Sequence, residues 1–165
     1  MNITFLPYSD VKDFSKAIKE YQDIWAADGK RIIDAWEAAA GISFVEKNMN
    51  AFVWDGISHA PPLCLRDTIA TRRKKSVLVH ELGHCLINSQ LKGSTSLERH
   101  KIHYLVLYDI LTDLYDEEYA KETVADDTKL NPMYGEAWNF ALLFPTREMR
   151  KNKFNEMMKS YEKSV

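Results

Sequence analysis

The stretch Val77-Leu78-Val79-His80-Glu81-Leu82-Gly83-His84-Cys85-Leu86 constrains this chain more than any other. Glu81 is its only charged residue and it has no proline, so it reads as a helix that belongs in a core. On such a helix His80 and His84 project from the same face, one turn apart. Two imidazoles at that spacing can hold one tetrahedral zinc ion at about 2.0–2.1 Å. Glu81 is rotated by about 100° from His80, so its carboxylate reaches beside the metal, where a general base for an attacking water belongs. The plain alternative is a core helix whose two histidines are simply hydrogen-bonded.

The rest of the chain limits the alternatives. Its 165 residues offer room for one domain, 1–165, around one core. Lys and Arg number 22 against 24 Asp and Glu, a balance that gives no general attraction for nucleic acid or an anionic membrane surface. No apolar run approaches the roughly 18 residues of a membrane span. Two cysteines, Cys64 and Cys85, cannot build a disulfide framework, and the start lacks a signal-peptide pattern. The expectation is a cytoplasmic protein.

Hydrophobic spacing predicts an α+β fold. Ile3 to Leu6 reads as a first strand, and helical periodicity runs from Val11 to Trp25 and on to Ala40, with Gly41 as a stop. Gly29 allows either one bent helix or two. Residues 42–46, 51–54 and 63–69 read as strands, with Asp55-Gly56 as a turn, so the sheet is expected to be small and mostly antiparallel. Helices are expected over 72–90, 97–124, 136–144 and 146–163, which makes a helical C-terminal half. The basic run Arg72 to Lys75 reads as a solvated first turn.

Together the motif and its flanks resemble the zincin metallopeptidases. Val77 stands three residues before the first histidine, the residues inside the motif are uncharged, and the apolar Leu86 follows two after the second. The resemblance covers about ten contiguous residues and the order of elements. It implies an active-site helix packed under a small twisted sheet, whose edge strand, 51–54 or 63–69, binds a peptide or protein substrate by main-chain hydrogen bonds. It also implies a zinc ion, with Glu81 as the catalytic base.

A catalytic zinc keeps three protein ligands and one open position. The metzincin continuation is absent, because Ile87 and Gln90 occupy its Gly and His positions. The gluzincin pattern takes its third ligand from the next helix, about twenty residues on. His103 lies nineteen residues after His84, on a stripe with His100, Leu107, Ile110, Leu111 and Leu114, and is the expected third ligand beside His80 and His84. His100 shares the stripe one turn earlier. Glu136 is the other rival, since residues 135–145 resemble a stretch of ImmA/IrrE-type peptidases, which cleave regulatory proteins. Tyr104, Tyr108 and Tyr134 offer hydroxyls to a developing oxyanion. A zinc-containing binding module without turnover is the reading from another class, and would not need Glu81.

Overall fold

A computed structural model describes residues 1–162, so the expected helix end at 163 lies outside the described residues. Among these are six α-helices and one three-stranded sheet, an α+β arrangement with a helical majority. The chain divides into two compact units, Met1–Leu86 and a second that begins at Ile87. No helix among the described residues is long and apolar enough to cross a membrane.

The first unit runs β1 (Asn2–Pro7), α1 (Ser15–Ala40), β2 (Asn48–Trp54), β3 (Leu63–Arg66) and α2 (Thr71–Ile87). Helix α1 is one continuous helix through Gly29. It starts at Ser15 instead of Val11, whose side chain is 96% exposed, and the carboxylate of Asp13 accepts the Ser15 N–H at 2.9 Å. Its buried residues Ala17, Tyr21, Ile24, Asp28, Ile32 and Trp36 recur at three- and four-residue steps. Gly41 caps it in the left-handed region at φ 73°, where a side chain would be strained. The indole N–H of Trp36 donates to the Val79 carbonyl at 2.9 Å, tying α1 to the helix that carries the histidines.

The sheet order is β1-β2-β3, and both pairings are parallel, not antiparallel as the sequence suggested. Two departures produce this. Residues 42–46 are irregular and carry the chain out of α1, with Phe44 buried and its N–H bonded to Glu37. The strand starts only at Asn48, where pairing with Asn2–Thr4 overrides the poor strand propensity of Asn48-Met49-Asn50. Asp55-Gly56 does turn the chain, but the return is a single antiparallel bridge, His59 with Cys64, and β3 follows it back into the sheet beside β2. A Cβ at Gly56 would sit 2.5–2.6 Å from the outer edge of the Trp54 ring, which would have to move to admit it.

Hydrogen-bond alternation shows which groups face outward. The Asp67 N–H donates to the Trp54 carbonyl, so the odd residues of β3 face β2 and the even ones face away. All the outward groups are taken. Cys64 exchanges two bonds with His59 at 2.9 and 3.0 Å, the Arg66 N–H donates to Ser58 Oγ, and the Arg66 carbonyl accepts from Tyr21. Residues 51–54, one of the two expected edges, instead form part of the central strand.

The basic first turn of α2 is not wholly solvated. Lys74 is buried, and its ammonium donates to the Glu20 carboxylate on α1. That bond, ahead of all else, holds the Glu20 carboxyl below the usual range, while burial opposes it. Removing the carboxylate would leave a buried cation alone. Glu20→Gln should therefore destabilise the fold by roughly 3 kcal/mol, read as a lower urea midpoint. Because the folded pKa is depressed, this contribution is present above the ordinary carboxyl range and disappears as the pH falls through the lowered value. The gap between wild type and Glu20→Gln should close on acidification, and equal midpoints at neutral pH would contradict the assignment.

The second unit contains a 3-10 turn (Asn88–Gln90), α3 (Ser96–Leu114), α4 (Glu117–Leu130), α5 (Pro132–Leu142) and α6 (Arg147–Glu162). Helix α3 packs against the other three helices. The expected helix 97–124 is two helices, because Asp116 caps α4 by accepting the Tyr119 N–H at 2.7 Å. Arg150 is buried and gives Asp109 a bidentate pair at 2.6 and 3.0 Å, holding α6 on α3.

Candidate metal centre

Helix α2 carries the motif as the spacing predicts. Glu81 and His84 are buried, and His80 is half-buried. The Nε2 atoms of His80 and His84 lie 3.0 Å apart, with the rings 4.7 Å between centroids. Two nitrogens bound to one tetrahedral zinc at about 2.0–2.1 Å would stand roughly 3.3 Å apart, so the pair is already near coordination spacing.

The carboxylate of Glu81 acts on its neighbours. Burial foremost, and then the Glu81 charge, pushes the Tyr21 hydroxyl and both thiols upward, Cys85 to about 12. Burial thus favours the protonated thiol at both cysteines. Tyr21 also donates to the Arg66 carbonyl, which places Glu81 beside the α1–β3 packing.

Helix α3 begins with a capping box. Thr95 accepts the Glu98 N–H and the Glu98 carboxylate accepts the Thr95 N–H, an arrangement worth about 1 kcal/mol. This turn carries His100. Its Nδ1 lies 2.7 Å from the Ser96 carbonyl, so Nδ1 holds the proton and Nε2 presents a lone pair. Burial lowers the His100 pKa, with Arg99 acting in the same direction. The Ser96 carbonyl and the Asp127 charge oppose them. A neutral ring is the form that ligates a metal.

His80 and His84 offer two such nitrogens on one helix, and the His100 ring offers another on α3. His103, the expected third ligand, lies on the same helix as His100. It is fully buried, with its ring 5.9 Å from that of Tyr104. Helix α3 is buried nearly all round. Ile102, Tyr104, Leu105 and Val106 are as enclosed as the stripe, so burial does not single out a ligand. Glu136 is exposed and paired with Lys101 at 2.7 Å.

Of the three tyrosines, Tyr134 has its ring at 5.0 Å from that of His100 and Tyr104 at 5.6 Å. Tyr104 stacks on Trp138 at 3.9 Å, and Tyr108 lies 5.1 Å from the Arg150 guanidinium. Asp127 is a residue that sequence reasoning passed over. It is buried, accepts the Trp138 indole N–H at 3.1 Å and supports a charge on His100. Its position beside Asp126 in an acidic helix resembles a solvated face, so the sequence carries no signal for it. A scan of protein-family models finds no match to this chain, and searches of curated proteins and of solved structures also return none.

Proposed function

We propose that this chain is a zinc-dependent peptidase of the zincin type, with His80 and His84 as ligands, a histidine of α3 as the third (His100 before His103) and Glu81 as the general base. The observation that carries the reading is the pair of histidine nitrogens 3.0 Å apart on one helix, flanking the buried Glu81. Imidazole donors suit zinc, and three of them leave one position for water or substrate. Zinc, when bound, supplies Lewis acidity, lowering the pKa of water towards about 7 and polarising a carbonyl.

The chain's own residues do the remainder. Glu81 takes the proton of the attacking water and delivers it to the leaving amine. The Ser96 carbonyl fixes the His100 ring, and Tyr134, its ring 5.0 Å from that of His100, is the tyrosine assigned to a developing oxyanion. A peptide or protein substrate would run its main chain along residues 57–60, outside the His59–Cys64 bridge, because the outward groups of β3 are already engaged. Glu136, the ligand that would distinguish an ImmA/IrrE-like variant, is exposed and pairs with Lys101 at 2.7 Å, which gives that variant less support.

The test is metal analysis joined to peptide cleavage. Purified protein should hold about one zinc per chain. Cleavage should vanish on chelation and return with added zinc. Protein that binds no transition metal, or cleavage indifferent to chelation, would remove this reading.

A further inference from the structure

The opposite border of the sheet has a different character from β3. The N–H groups of Asn2 and Tyr8 donate to the Lys47 and Val53 carbonyls at 2.8 and 2.9 Å, so the even residues of β1 face β2. The odd residues, Ile3, Phe5 and Pro7, therefore turn their main-chain groups outward. Among the described residues, the N–H and C=O groups of Ile3 and Phe5 have no hydrogen-bond partner. Pro7 fits this geometry, since its missing N–H belongs on the outward side.

Open edges are ordinarily protected by charged side chains, bulges or a covering segment. From Met1 to Ser9 there is no charged side chain, and β1 pairs with β2 in unbroken register over all six of its residues. Beside it the outer face of the sheet continues apolar. Tyr8 is 59% exposed and stands edge-on to Phe52 and 5.4 Å from Trp54.

We infer that β1 is a self-association edge, and that its occupant is the β1 strand of a second copy of this chain, paired antiparallel about a two-fold axis through Thr4. The register is self-complementary. With the axis at Thr4, Ile3 of each copy meets Phe5 of the other, and each such pair exchanges two N–H···O bonds, so four outward groups on each copy are satisfied together. Thr4 faces Thr4 in the closer, non-hydrogen-bonded position, a favourable cross-strand pair. Pro7 ends the pairing beyond it. The two three-stranded sheets become one of six strands. An interface of six residues a side is small, which places the dimer in the weak, concentration-dependent class.

Light scattering during size exclusion across a dilution series tests this. The wild type should rise towards twice its 19.1 kDa as concentration increases. Thr4→Lys places two ammonium groups face to face on an exposed position and should weaken association by roughly tenfold or more. Ile3→Pro deletes an outward N–H that β2 does not use and should do the same. Circular dichroism verifies that both variants remain folded, and hydrogen exchange at Ile3 and Phe5 should slow as concentration rises. A wild type still monomeric at about 100 µM overturns the inference, whether or not the edge then takes up a foreign strand. A dimer indifferent to both substitutions overturns it equally.

Discussion

Glu81→Gln is expected to keep its zinc and to lose peptide cleavage by about 100- to 10,000-fold. Glutamine matches glutamate in shape and keeps one carbonyl oxygen, so the helix and its two histidines retain their packing. What it lacks is a group that can accept a proton from water and release it to an amine. Glu81 is 5% exposed, and nothing in a purely structural metal centre requires a carboxylate at that depth. The loss should fall on kcat, with little change in KM. Zinc content measured beside the kinetics separates the two readings. A variant that cleaves like the wild type would leave a metal-held binding module as the better account.

The second large effect is expected at the third ligand. Loss of an outer-shell partner already weakens a metal site by about 10- to 100-fold. Removing a ligand should do more, so His100→Ala should weaken zinc binding by upward of roughly 100-fold. On this assignment His103 is no ligand, and His103→Asn should leave zinc binding unchanged. It is instead a fully buried ring, and its replacement should appear as a lower unfolding midpoint with zinc stoichiometry intact. Zinc titration against a competing chelator measures both variants. If the order reverses, the gluzincin-like spacing was the better guide and the ligand set is His80, His84 and His103.

The contrast between these two histidines shows how far the sequence could be read. Local signals served well. The uncharged run around His80 and His84 forms one helix, Gly41 ends α1, and Pro132 and Pro145 mark the breaks of the C-terminal half. These features depend on residues within a turn or two of one another. Pairing between distant segments was illegible. Asp55-Gly56 reads as a hairpin, yet whether the returning strand stays antiparallel or slips back alongside depends on residues eight positions further on. The third ligand was illegible for a similar reason. An amphipathic stripe identifies a buried face only when the opposite face is wet, and α3 is enclosed around most of its circumference. The salt bridge between Lys74 and Glu20 spans more than fifty residues, so a basic run that looks solvated conceals one buried member.

Finally, the contact between His100 and the Ser96 carbonyl bears on cation binding itself. A ring already locked by its own helix surrenders almost no torsional freedom when it takes up an ion, so that entropic cost is met during folding. The tether is one main-chain oxygen in a turn that Thr95 and Glu98 keep wound. Fraying there would loosen the imidazole, and a residue that never approaches the ion would then govern how tightly it is held.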